Sequence, residues 1–152
     1  MIDLIWLVPA FPLVGFLILL TMGRRLNEGP VGWLATGAMA GSFLVTLGVF
    51  AALIGLDAYD RSSVITLFEW VPAGDLSVDV GFLVDPLSLT MCLFITGVGA
   101  LIHLYSIGYM HGDRDFSRFF AYMNLFAFSM LILVLADNLL LTFLGWEGVG
   151  AC

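Results

Sequence analysis

The sequence predicts an all-α membrane protein, a bundle of transmembrane helices with four complete spans, a truncated fifth, and a β-hairpin in one outer loop. Three observations predict it. Of 152 residues, 61% are hydrophobic and only 11% charged, with no lysine, where an ordinary soluble domain carries about 25% charged residues. The mean hydropathy is +1.07. The apolar residues fall in runs long enough to cross a hydrocarbon core roughly 30 Å thick, where helices satisfy their own backbone hydrogen bonds.

The first run, residues 4–22, has Asp3 before it, no basic residue, and Arg24-Arg25 after it. A cleavable signal peptide has the reverse charge order, so this reads as a retained span. Pro9 and Pro12 lie near its start, where a helix tolerates proline best. The second run, 31–56, is free of charge and rich in glycine and alanine. The third, 86–110, carries one polar intruder, His103, and Asp85-Pro86 before it reads as an N-cap followed by proline at the first helical position. The fourth, 119–136, is just long enough to cross. The fifth, 138–152, begins near Asn138 and runs to the end of the sequence, inside what should be a helix. The expectation is therefore a piece of a longer transmembrane domain, 1–152 being its first part.

The loop 57–85 differs in kind. Leu76, Val78, Val80, Phe82 and Val84 alternate with Ser77, Asp79, Gly81, Leu83 and Asp85, a period of two with one lapse. Residues 66–71 (TLFEWV) read as a partner strand, with Pro72-Ala73-Gly74-Asp75 as the turn. The acids here, Asp57, Asp60, Glu69, Asp75 and Asp79, read as solvated loop charges or as a surface that docks on a neighbouring subunit. Because the acids gather in this loop, the net charge of -7 does not suggest an acidic partner. Arg24, Arg25, Arg114 and Arg118 lie in the first and third loops, against Arg61 alone on the other side. The positive-inside rule then puts those loops in the cytoplasm and the N-terminus outside. A multi-pass protein of the cytoplasmic (inner cell) membrane fits this better than one of the mitochondrial inner membrane.

Glu147 is the residue that points to chemistry. It follows the apolar run 139–146 (LLLTFLGW), about 12 Å into a helix at 1.5 Å per residue. A charge at such a depth costs at least about 2.5–3.5 kcal/mol on insertion scales and marks an ion path or a pairing site. Gly145, Gly148 and Gly150 around it leave room for a neighbouring helix or for water. Burial would raise the pKa of such a carboxylate and a nearby cation would lower it, so one poised between the two can take up and release a proton. The alternative is a static ion pair that fixes packing. Every arginine lies in a loop, so the partner is expected beyond Cys152 or on another chain.

His103 shares a helical stripe with Thr96, Gly99 and Ser106. It reads as a histidine hydrogen-bonded to a neighbouring helix, or as a proton relay, since imidazole titrates near neutrality. Asn124 and Ser129 read as interhelical hydrogen bonds, and 111–118 as a solvated mixed-charge turn. Cys92 and Cys152 have no thiol or histidine at metal-ligand spacing and read as small apolar residues. There is no glycine-rich phosphate loop, no CxxC, no histidine pair suited to haem, and no Ser/His/Asp order in soluble surroundings, which sets aside redox and hydrolytic catalysis by this chain. No cofactor, metal or nucleic acid is implied.

The segments Asp85-Pro86-Leu87-Ser88, His103-Leu104-Tyr105-Ser106-Ile107-Gly108-Tyr109-Met110, Arg118-Phe119-Phe120-Ala121-Tyr122, Ala136-Asp137-Asn138-Leu139-Leu140 and Gly145-Trp146-Glu147-Gly148-Val149-Gly150 resemble subunit L of NADH-quinone oxidoreductase. This is the antiporter-like subunit of respiratory complex I and the mitochondrial NADH dehydrogenase subunit 5 family. The likeness covers the whole chain, strongest from Asp85, and corresponds to about the first quarter of the family's length. The large subunits of multisubunit sodium/proton antiporters resemble it up to Trp146-Glu147 and then diverge. Ala151 stands where the family has leucine. The resemblance implies a membrane-arm subunit that pumps protons using energy from quinone reduction elsewhere in the enzyme, without redox chemistry of its own. Its partners are the other membrane-arm subunits, the lipid bilayer and protons. It assigns to Glu147 the family's essential glutamate, paired with a lysine on a later broken helix, and to His103 a relay role. A sodium/proton antiporter subunit and a passive membrane scaffold are the alternatives.

Overall fold

The computed structural model describes residues 2–73 and 76–152. A 3-10 turn at Ile2–Trp6 leads into α1 (Leu7–Met22), followed by α2 (Glu28–Ile54), a hairpin of β1 (Ser63–Ala73) and β2 (Leu76–Val84), then α3 (Pro86–Tyr109), α4 (Phe116–Leu135) and α5 (Leu139–Ala151). Four helical segments, those containing α1 to α4, are long and apolar enough to cross a membrane; α5 is apolar but shorter. The predicted class, a helix bundle with a small antiparallel sheet, is the observed one.

The helices run antiparallel in sequence order. α1 packs on α2 and α4, α2 on α3, and α5 on α4. Their outward surfaces are apolar, with Trp33, Leu44, Phe94 and Leu101 all exposed, as a lipid-facing bundle requires. Two buried clusters hold the ends together. Leu19, Val31, Ala35, Phe116, Phe120 and Ala121 form one. Ile5, Val8, Leu53, Leu89, Leu135 and Leu141 form the other, and β2 adds Phe82 and Val84 to it. The hairpin is thus seated on the end of the bundle where α5 begins.

Local chemistry sets several boundaries. Asp85 accepts a hydrogen bond from the Ser88 backbone nitrogen at 2.6 Å while its own backbone nitrogen donates to Ser88 Oγ at 3.0 Å, a capping box that starts α3 with Pro86 at its first position. Gly112, at φ 84°, turns the chain between α3 and α4. The helix α2 begins at Glu28, before the charge-free run, and α4 begins at Phe116, so both helices extend into polar flanks that hydropathy alone leaves as loop.

In β2, Phe82 and Val84 are buried, but so is Gly81, and Val78, Asp79 and Val80 are all half-buried, so the expected alternation of faces shows only over the last residues of the strand. Its partner runs over Ser63–Ala73, longer than 66–71, because register shifts between Thr66 and Phe68 and between Glu69 and Val71 change which face the following residues point to. The middle of the expected turn, Gly74-Asp75, lies outside the described residues.

Candidate functional site

Asn138 starts α5. Its Oδ1 accepts from the Leu141 backbone nitrogen at 2.9 Å, which supplies one of the donors a helix start leaves unsatisfied. From there α5 crosses α4 at close range. A methyl group added to Gly145 would come within 2.6 Å of the Leu133 backbone nitrogen, and one added to Gly148 within 2.6 Å of Ser129 Oγ. Only glycine allows these two helices to touch here. With that face turned to α4, Glu147 faces away and is exposed. No hydrogen bond or ion pair reaches it among the described residues; the one ion pair there is His111 with Glu28, on the surface at 2.8 Å. The two glycines nearest Glu147 therefore serve the α4 contact, and only Gly150 has open space beside it.

His103 is almost fully buried. Its Nδ1 lies 2.7 Å from the Gly99 carbonyl oxygen of its own helix, which assigns the proton to Nδ1 and leaves Nε2 an acceptor. That Nε2 is buried without a partner among the described residues. The imidazole lies 6.1 Å from the Phe120 ring and borders a cavity of about 530 Å³ between α3 and α4, lined otherwise by apolar side chains such as Met39, Phe126 and Met130. Thr96 and Ser106 are buried as well, so the polar stripe does face the bundle interior. Its histidine bonds within α3 rather than to a neighbouring helix. Cys152 touches the same cavity and Glu147 does not.

Asn124 departs from expectation. Its Nδ2 donates to the Phe120 carbonyl of α4 itself at 3.0 Å, and its buried Oδ1 has no partner among the described residues, lying against Gly15 of α1. An i−4 backbone carbonyl is within reach of any short amide on a helix, and it competes successfully with the neighbouring helix. Ser129 sits against Gly148. An interhelical hydrogen bond does run from Ser42 Oγ of α2 to the Val8 carbonyl of α1, at 2.6 Å. Asn138 is a functional candidate the sequence reading passed over; an asparagine just before an apolar run is the signal that marks it.

Residues 70–120 match the model of the family described as NADH-ubiquinone oxidoreductase (complex I), chain 5 N-terminus. Among curated proteins, the chain is 47% identical to NADH-quinone oxidoreductase subunit L of Mycobacterium tuberculosis, over 95% of this chain and 23% of that protein. The chain belongs to the subunit L family. It is also 44% identical to the subunit L of Escherichia coli, over 93% of this chain and 23% of that one. It thus spans about a quarter of the length of these relatives. Among solved structures, a chain of the Mrp complex from a Dietzia species superposes with a TM-score of 0.74 at 28% identity, covering 95% of this chain and 14% of that one. Membership of the subunit L family makes this a membrane component whose relatives belong to an enzyme, NADH-quinone oxidoreductase.

Proposed function

We propose that the chain is part of a proton-translocating subunit of NADH-quinone oxidoreductase in which Glu147 takes up and releases protons inside the membrane. The observation that carries the proposal is the placement of Glu147: an exposed carboxylate on an apolar helix, without a partner in the described chain, in a sequence 47% identical to subunit L over 95% of its length. A carboxylate facing away from α4 is available to a cation on a later helix or a neighbouring subunit. Attraction to that cation holds it ionised, and its withdrawal favours uptake of a proton. Quinone reduction in other subunits would move the cation; no redox step belongs to this chain.

The imidazole of His103 is suited to relay a proton between Nδ1 and Nε2, since Nε2 has a free lone pair in the bundle interior. Orientation follows from the arginines. Arg24, Arg25, Arg114 and Arg118 share the end opposite the hairpin, so that end faces the cytoplasm, with the N-terminus and the hairpin outside. The other membrane-arm subunits are the expected neighbours, in a bacterial cytoplasmic membrane.

The Mrp likeness favours a second reading, a sodium/proton antiporter subunit. The same carboxylate would serve both, and Gly148-Val149-Gly150 after it supports the complex I assignment. Glu147→Gln in the full-length subunit within the assembled enzyme tests the site. Severe loss of coupled proton transport is expected with the complex assembled; native transport would sink the assignment and favour a passive scaffold.

A further inference from the structure

The start of α5 is tied to the hairpin by more than a helix cap. Asn138 Nδ2 donates to the Asp79 carbonyl oxygen of β2 at 2.8 Å and to Asp137 Oδ1 at 2.7 Å, while its Oδ1 caps α5. Beside it, the Asp137 backbone nitrogen donates to the Gly81 carbonyl at 3.3 Å, and Ala136 pairs with Phe82 in antiparallel fashion. The Asp137 carboxylate lies so close to Gly81 that a Cβ there would collide with it. Thr142 Oγ1 donates back to the Asn138 carbonyl at 2.9 Å. One amide side chain therefore joins three things: the edge of β2, the α4–α5 connection, and the first turn of the helix that carries Glu147.

We propose that Asn138 is a positioning residue for Glu147, fixing the depth and rotation of α5 by clamping its first turn to β2. The inference rests on Glu147 being the proton-handling group. The contact of Gly145 with Leu133 holds α5 against α4, but two smooth helices in contact can slide along each other. The β2 clamp removes that freedom. A slip of one residue would move the carboxylate by about 1.5 Å and turn it by about 100°, and a misplacement of about 1 Å at a reacting group can cost about a hundredfold in rate.

The test uses the full-length subunit in its assembled enzyme, comparing Asn138→Ser and Asn138→Ala. Serine can still cap the helix through its hydroxyl but cannot donate to both Asp79 and Asp137. A spin label on Glu147→Cys, with other cysteines removed, reports depth in the membrane through collision with oxygen and a water-soluble nickel chelate. Both Asn138 variants should displace the label by about 1.5 Å or more, and, with Glu147 restored, reduce coupled proton transport at least threefold. An unmoved label in Asn138→Ser, or native transport at a displaced depth, overturns the proposal. Should Asn138→Ser fail to assemble, Asn138→Asp, isosteric and a good cap, is read by the same criteria. Glu147→Gln is measured alongside: native transport there defeats the reading of Glu147 itself, while the label depth still reports on Asn138.

Discussion

At the scale of the residue, Gly145 and Glu147 divide the two tasks of α5. Gly145 lets α5 lie against the α4 backbone, and Glu147 points away from that contact. Gly145→Ala should therefore destabilise the protein by about 1–3 kcal/mol, the usual range for overpacking, because the obstacle is the Leu133 backbone and not a side chain that can swing aside. A lower thermal midpoint of the purified subunit checks this. Glu147→Gln takes nothing from the α4 contact, and should abolish transport in a subunit that still folds and assembles. That contrast separates a packing residue from a working one. At Ser42, whose hydroxyl donates to the Val8 carbonyl, substitution by alanine should cost about 0.6 kcal/mol, the average for interhelical hydrogen bonds in membrane proteins, read by the same unfolding measurement.

At the scale of the element, helix interiors were legible in the sequence and junctions less so. Runs of apolar residues name the spans, and Asp85-Pro86 names the start of α3 because capping chemistry is local. The extent of β1 was not legible, since its two register shifts break the alternation that marks a strand, and Leu67, Phe68 and Trp70 all remain exposed. The starts of α2 at Glu28 and α4 at Phe116 were missed for a different reason: hydropathy tracks where the membrane is, and a helix may run on past it. Of the site, Glu147 stood out because one carboxylate in an apolar run is conspicuous. The role of Asn138 did not, because its partner Asp79 is 59 positions away. The self-satisfied bond of Asn124 was equally hidden, as the competition between its own helix and the next depends on packing.

At the scale of the whole molecule, charge is sorted by end. The hairpin end carries Arg61 alone among the arginines, with Asp57, Asp60, Glu69, Asp79, Asp85 and Asp137. The opposite end holds the other four arginines and His111, which meets Glu28 there. Such sorting sets orientation. A cysteine placed at fully exposed Tyr59 should react with a membrane-impermeant maleimide added outside intact cells, and one at His111 should not; the reverse pattern would invert the topology. The bundle in turn defines what α5 can do: it is anchored at its start by the hairpin, held along one side by α4, and open where Glu147 lies. During turnover this carboxylate should change its protonation rather than merely stabilise an ion pair. Infrared difference spectroscopy of the assembled enzyme, resting against turning over, tests it most directly. A protonated-carboxyl band that changes with turnover and vanishes in Glu147→Gln is the expected result; a spectrum identical in the native enzyme and the variant would contradict it.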